Sequence, residues 1–270
     1  MGANNNQPDW HAIAEKFDIW LPQIEPVGEA LLDVLQAKQG DHILDIASGT
    51  GEPALTLAQR MQDDINVIGV DAAEGMIGVA QQKVSDLGLN NIRFQTMPAE
   101  NLDFTDESFD KVLCRFGVML FEDPLTGLKE MRRVLKPGGR YAFSIWGEAE
   151  TMPVMYWSYE VFKDKVPEDV VPPLAKITSL GAPGAIDTML AEAGFTDINV
   201  ERRTFQYKFD SFEAYWDAVE ASDILKQQFD ALPDSSREVV RNEVAGFANK
   251  YIGENGLMVP HDFLLAYGTK

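Results

Sequence analysis

At 270 residues, 45% hydrophobic and 24% charged, the chain has the composition of a globular protein, long enough for one large α/β domain with insertions or for two small domains. Forty-three acidic against 23 basic residues give a formal charge of −20, and no run of Lys and Arg interrupts it, so nucleic acid and anionic membrane surfaces are expected to be repelled. A single cysteine, Cys114, excludes an intramolecular disulfide and a thiolate metal cluster, and no bound metal is expected.

The opening, MGANNNQPDW, lacks the charged and apolar regions of a secretory signal. No apolar run reaches the ~20 residues that span a bilayer, so no membrane insertion and a cytoplasmic setting are expected. Residues 9–38 show helical periodicity punctuated by Pro22 and Pro26, with Ile13, Phe17, Trp20 and Leu21 on one stripe. From residue 43 short β-branched runs alternate with amphipathic stretches. Strands are predicted at 43–47, 65–71, 91–96, 109–116 and 140–146, with helices near 53–62, 74–87 and 123–136 between them. Such a βαβ series implies a parallel sheet with helices on both faces. The third helix closes on LKPGG, a basic last turn followed by Pro and Gly, which predicts a stop.

After Trp146 the pattern changes. Residues 147–183 are rich in aromatics and Met and run into the Pro-rich 167-PEDVVPP-173; a helix at 184–193 leads to a strand at 197–209, residues 211–256 carry two or three helices, and 261–270 form a closing strand. The fold class is therefore α/β: one domain over 1–270, a doubly wound, Rossmann-like, seven-stranded, mostly parallel sheet with a C-terminal antiparallel strand and helical lid insertions. Residues 1–40 form an N-terminal helical cap and 43–146 a ligand-binding core. The segments 147–183 and 211–256 are lids, and 184–210 with 257–270 supply the closing helix and strands. Both lids follow late strands, so they are expected over the carboxyl edge of the sheet, where ligands bind in such folds.

The stretch 43-ILDIASGTGEPAL-55 carries the first chemical signal. Gly49 and Gly51 follow a strand and open a helix, where a backbone without side chains can turn tightly and approach a ligand. Asp71 ends the second strand, 22 residues beyond Gly49, and an acidic residue there can accept both hydroxyls of a ribose. These features alone fit any adenosine-containing ligand, and equally an ordinary strand-to-helix turn with an acidic surface residue. Asp45 adds information: a carboxylate inside the first strand is costly unless it meets a donor or an ammonium.

The pieces 44-LDIASGTG-51, 69-GVDAAEGMI-77, 97-MPAENLDFTDESFD-110, 112-VLCRFGVMLFEDP-124 and 130-EMRRVLKPGGRYAFSIW-146, taken in order, resemble the class I S-adenosylmethionine-dependent methyltransferases. The similarity is to the small-molecule branch that includes the ubiquinone/menaquinone C-methyltransferases. It implies S-adenosyl-L-methionine as cofactor and S-adenosyl-L-homocysteine as product. Asp45, Ala47 and the Ser48–Gly51 backbone would hold the amino acid end of the donor, with Asp45 acting on its ammonium directly or through water. Asp71 would bind the ribose diol, and Ala72 and Met76 would pack on the adenine. The Ala99 backbone and the Glu100 side chain would face the adenine edge. Many relatives carry Asp at the place of Pro98, which leaves the contact to the adenine amino group open. Arg115 and Phe116 would lie beside the methionine part, Arg115 being alternatively a solvated or salt-bridged strand-end residue.

Methyl transfer from a sulfonium is an in-line displacement whose donor is already activated, so positioning supplies most of the acceleration. A base is needed only where the nucleophile must lose a proton, and no decisive one is visible. His42 precedes the first strand at its far end, and His261 is expected at the surface. His11 on the N-terminal helix is a weak candidate, as are Tyr156 and Tyr159 for orienting an acceptor hydroxyl. Glu122 and Asp123 are expected to cap a helix. Phe17, Trp20, Trp146, Met155, Tyr156 and Trp157 are candidates for an apolar pocket, although packing of insertion helices on the sheet would use the same residues. The expected partner is a small hydrophobic or aromatic acceptor (a quinol, phenol, lipid or natural product) methylated on O or C rather than N. A single Cys disfavours arsenite methylation. An NAD(P)-dependent oxidoreductase and a non-catalytic S-adenosylmethionine-binding module are the alternatives, and oligomeric state is not legible.

Overall fold

The computed structural model describes residues 8–270, so the asparagine-rich opening noted above lies outside the described residues. Eight strands form one sheet: β1 (His42–Ile46), β2 (Asn66–Asp71), β3 (Ile92–Thr96), β4 (Phe109–Arg115), β5 (Leu135–Trp146), β6 (Asn199–Phe209), β7 (Ile252–Gly253) and β8 (Gly256–Thr269). The order is β3-β2-β1-β4-β5-β8-β6, with β7 hairpinned onto the start of β8. Strands β1 to β5 pair in parallel, while β8 runs antiparallel to both β5 and β6. The expected count of seven is thus exceeded by the two-residue β7.

The helices are α1 (Ala14–Phe17), α2 (Leu21–Leu35), α3 (Ala54–Met61), α4 (Glu74–Leu87), α5 (Pro124–Val134), α6 (Pro153–Phe162), α7 (Leu174–Thr178), α8 (Ala185–Glu192), α9 (Phe212–Ala221), α10 (Lys226–Asp230) and α11 (Arg237–Ala248). Parallel strands covered on both faces must be apolar throughout, and β1, β2 and β4 are buried along almost their whole length. Helix α2 lays Ile24, Val27, Leu31 and Leu35 on β4, β5 and the antiparallel strands; each such side chain contributes about 1.5–3 kcal/mol on leaving water. Gly69 in β2 exists for packing, because a Cβ there would stand 2.2 Å from the Phe94 ring.

One boundary differs from expectation for a clear reason. The LKPGG segment does not follow a finished helix as a loop; it opens β5, pairing Leu135 with Phe109 before the register shifts so that Arg140 meets Lys111. Pro137 and Gly138, the latter at φ +73°, are absorbed in that irregularity. Helix signals and bulge signals use the same residues.

His261 is the second correction. It lies within β8 and is fully buried, not at the surface. Its Nε2 accepts from the Val154 amide at 3.1 Å, and its Nδ1 lies 3.2 Å from the Val259 carbonyl, so Nδ1 carries the proton. Both ring nitrogens are therefore occupied, Nε2 in holding α6 against the sheet and Nδ1 within β8 itself. Burial pushes its pKa down from 6.5 to about 4. The unfolded chain then binds a proton that the folded chain refuses, and stability is lost as pH falls through that window. Between pH 7 and 4.5 the His261 contribution should shrink by about 2–3 kcal/mol. Urea midpoints of the natural chain and of His261→Gln at the two pH values measure it, and a gap between them that ignores pH would mean the imidazole titrates in the fold as it does in the unfolded chain.

Candidate active site

The carboxyl ends of β1, β2, β4 and β5 converge on one crevice, at the point where the strand order reverses between β1 and β4. Sheets of this kind leave their ligand site there. The loops beyond β1 and β4 are pressed together: a Cβ on Gly117 would meet that of Ala47 at 2.5 Å. Two residues that are not glycine, Ala47 (φ +54°) and Phe116 (φ +56°), take left-handed backbone conformations on either side of this contact. Gly49, at φ +53°, faces open space, since a Cβ added to it finds no atom within 4 Å.

Asp71 ties the loop down. Its Oδ2 accepts from the Gly49 amide at 2.9 Å and its Oδ1 from the Ala73 amide at 2.8 Å, leaving further lone pairs on both oxygens. Burial raises its pKa against those two amides. Asp45 lies two residues inside β1 from Ala47 and is fully buried, and neither carboxylate oxygen has a hydrogen-bond partner among the described residues; the same holds for the Ser48 hydroxyl. Burial lifts the Asp45 pKa well above the carboxylate range, with the nearby Arg115 charge opposing and Asp71 and Glu52 adding to the rise.

Beyond the loop opens a cavity of about 570 Å3. One half is lined by Ser48, Gly49, Asp71, Ala72, Met76 and Ala99, and Arg115 and Phe116 stand at the junction. The other half is apolar and is walled by Trp20, Trp146, Met155, Leu174, Tyr207 and Tyr215, among others. Phe116 and Trp146 stack with centroids 3.6 Å apart, which makes one flat wall. The N-terminal segment roofs the first half. Asp18, in the 3-10 turn after α1, accepts from the Thr50 hydroxyl at 2.6 Å and pairs with Lys83 of α4, while Lys16 pairs with Asp223 beyond α9.

Several proposed site residues stand elsewhere. His11 is exposed, and its Nδ1 accepts from the Gly75 amide at 2.9 Å, so it fastens the roof to the start of α4 instead of facing the cavity. Tyr156 is 40% exposed with its ring on Phe247, and the Lys163 ammonium lies over Tyr159. Trp157 is buried against Tyr215 and Tyr251. None of these four reaches the cavity wall; on α6 that face belongs to Val154, Met155 and Ser158. Phe17, Trp20, Trp146 and Met155 do line it. Glu100 lines it too, but its Oε1 accepts from the Glu122 and Asp123 amides, which leaves its other oxygen for a ligand. Asp123 caps α5 through the Leu125 and Thr126 amides. Tyr207, Tyr215, Leu174 and Ile177 were not foreseen. The alternation Phe205, Tyr207, Phe209 along one face of β6 was the available signal for Tyr207. Among the described residues no group of three or more His, Cys, Asp or Glu is placed to hold a metal, and no helix is long and apolar enough to cross a membrane.

A profile of the ubiE/COQ5 methyltransferase family matches residues 25–179, and the chain belongs to that family. It is 42% identical over 99 residues to the ubiquinone/menaquinone biosynthesis C-methyltransferase of Geotalea daltonii, a stretch that is 36% of this chain and 42% of that relative. The chain thus spans less than half the length of the curated relative it matches. Its fold resembles that of the YcgJ protein of Bacillus subtilis, with a TM-score of 0.62 at 20% identity over 91% of this chain and 98% of the other. It also resembles Haemonchus contortus phosphoethanolamine N-methyltransferase 2 in complex with phosphomonomethylethanolamine and S-adenosylhomocysteine, with a TM-score of 0.63 at 21% identity over 97% and 60% of the two chains.

The orphaned Asp45 generates a stability prediction. The folded chain keeps on this carboxyl a proton that the unfolded chain releases, so the folded state loses ground as pH rises from the ordinary carboxylate range toward the raised value. Asp45→Asn removes that loss. Near neutral pH it should stabilise the ligand-free protein by about 1–3 kcal/mol, seen as a melting temperature a few degrees higher, whereas a lower one would show that the carboxylate has a partner.

Proposed function

We propose that the protein is a cytoplasmic S-adenosylmethionine-dependent methyltransferase acting on a small, largely apolar acceptor, such as a quinol, phenol, lipid or natural product, at O or C. One observation carries the donor assignment. A buried carboxylate with no partner, Asp45, stands behind a glycine turn whose other acidic residue, Asp71, keeps free lone pairs toward the same cavity. An ammonium and a vicinal diol answer those two groups, and a donor with both fits the first half of the cavity. Ala72, Met76 and Ala99 supply the apolar surface on which an adenine would lie. Glu100, with one oxygen committed, supplies an acceptor at that end in place of the acid missing at Pro98. Membership of a methyltransferase family and the Geotalea relative's name support methyl transfer and a quinol-like acceptor.

When bound, S-adenosylmethionine supplies a methyl group already activated on a sulfonium. The chain's own residues then have three tasks. Asp45 and Asp71 fix the two ends of the donor. The apolar chamber excludes water. The Phe116–Trp146 wall sets the plane of an acceptor ring so that its nucleophilic atom faces the methyl group along the line of displacement.

Thermal melts test the donor. S-adenosylhomocysteine should raise the melting temperature and NADH should leave it unchanged; the reverse pattern would return the protein to the nicotinamide-dependent oxidoreductases. Asp71→Ala should weaken S-adenosylhomocysteine by about 1–3 kcal/mol, the cost of a lost charged acceptor, and unchanged affinity by calorimetry would mean the site is misplaced. Incubation with labelled donor and a panel of quinols, phenols and amines separates an enzyme from a non-catalytic binding module by the mass of the product.

A further inference from the structure

Resting on the methyl-transfer assignment, the polar groups between the two halves of the cavity allow a sharper statement about the acceptor. Arg115 ends β4 with its guanidinium in the cavity. It makes no hydrogen bond or ion pair with a described residue. It lies against Gly28 of α2, where an added Cβ would stand 3.6 Å from Nη1. The groups whose charge it feels are Asp45 of β1, Glu52 of the glycine loop, Asp18 of the roof and Tyr207 of β6. Asp18 is already paired with Lys83. Glu52 accepts from the Thr56 amide and hydroxyl at 3.2 and 2.7 Å. Asp45 is held toward its neutral form by burial. The guanidinium therefore retains charge and donors for a ligand.

The apolar part beside it offers phenolic donors. Tyr207 and Tyr215 line it, with their hydroxyls free of any hydrogen bond to a described residue, and the carboxylates that line the cavity, Glu52, Asp71, Glu100 and Glu122, come from the end of β2 and the loops after β1, β3 and β4. His261, whose ring packs on Tyr207 at 4.6 Å, has both nitrogens engaged with backbone. A cation with free phenolic donors beside it is complementary to an oxyanion.

We propose that the acceptor binds as the anion of a phenol or enol, its oxygen held by the Arg115 guanidinium and the Tyr207 hydroxyl. The hydroxyl proton leaves to solvent on binding, so no residue need remove it. In the transfer, a lone pair of that oxygen forms the new bond to the methyl carbon while the carbon–sulfur bond breaks and its pair stays on sulfur. Anion and sulfonium thereby neutralise each other. Attack through a ring carbon of the same anion adds only the later loss of that carbon's proton to solvent. Arg115 and Tyr207 are in this sense specificity-determining: they select acceptors acidic enough to ionise in the chamber.

The probes are 4-nitrophenol and the larger 4-nitro-1-naphthol, whose anions absorb visible light and which titrate near neutrality. In the presence of S-adenosylhomocysteine, the natural chain should lower the titration midpoint of the bound probe by about one pH unit or more. Arg115→Gln should abolish that shift and weaken binding at least roughly tenfold; Arg115→Lys should retain part of it, and Tyr207→Phe should reduce it. Midpoints unmoved for both probes, or moved equally in Arg115→Gln, overturn the proposal. So does benzoate displacing the probe better than phenols do, which would make the chamber a carboxylate site. A third contrary result is a loss of S-adenosylhomocysteine affinity in Arg115→Gln with 5′-methylthioadenosine, which lacks the amino acid end, bound as before; the guanidinium would then belong to the donor. Should S-adenosylhomocysteine fail to bind the natural chain, the donor assignment falls by itself, and the same titration without it still decides the anion site.

Discussion

A carboxylate shut inside a parallel sheet without a partner is the constraint around which this molecule is arranged. Removing an ionised carboxylate from water costs several kcal/mol unless an opposite charge or donors replace the water. Among the described residues, no donor bonds either oxygen of Asp45. Its neighbours add to the load, because Asp71 and Glu52 stand close enough to oppose its ionisation and only Arg115 favours it. A fold that tolerates such a group holds in reserve a favourable interaction for a cation that enters later. The surrounding geometry serves that entry. The glycine turn keeps backbone and not side chain at the crevice, Gly49 opens onto empty space, and Gly117 lets the two loops approach until Ala47 and Phe116 adopt left-handed conformations.

The roof over the donor half is held differently. Its links are polar and near the surface: Asp18 to Thr50 and Lys83, His11 to the Gly75 amide, and Lys16 to Asp223. Half-exposed ion pairs contribute about 0–1 kcal/mol each. The apolar contact beneath is small, Ile13 and Ala14 on Met76 with Trp10 and Phe17 at its edge. The floor, by contrast, is the buried sheet itself. A rigid floor and a lightly fastened roof let a ligand enter from above without disturbing the core, since the low-stability elements of a fold are the ones that open.

What the sequence made legible follows the periodicity of each region. The alternation of strands and helices from 43 to 146 was readable because parallel strands demand unbroken apolar runs and the glycine turn demands Gly. Asp45 stood out because a carboxylate in such a run is costly, and Asp71 because it ends the second strand 22 residues beyond Gly49. The aromatic segments were not readable at the level of side chains. Residues 153–162 place aromatic or Met side chains all round α6, so composition could not say which of Met155, Tyr156, Trp157 and Tyr159 would line the cavity; of these four Met155 does, while Trp157 is buried in the core. His261 misled because a histidine near a chain end resembles a surface residue, and its burial depends on the Val154 amide, a partner 107 residues away. Arg115 was left between a ligand contact and a surface salt bridge, and its surroundings come from α2, the glycine loop and β6, which no local pattern links.

The two halves of the cavity also differ electrically, and that difference bears on the chemistry. The carboxylates that line the cavity, Glu52, Asp71, Glu100 and Glu122, stand at the carboxyl end of β2 and in the loops after β1, β3 and β4, while apolar side chains, tyrosine hydroxyls, Ser158 and Gln228 line the part beyond Arg115. On the proposed reading, a cationic donor along the glycine loop and Asp71 would bring its sulfonium toward Arg115. Two positive charges facing each other across an apolar space are unfavourable, and increasingly so as water is excluded. An anionic acceptor between them relieves both at once. A neutral acceptor would leave that repulsion standing at the moment the chamber closes. If the acceptor binds as the proposed anion, Arg115 would oppose the donor alone and favour donor and acceptor together, so that the charge pattern itself would couple the two binding events.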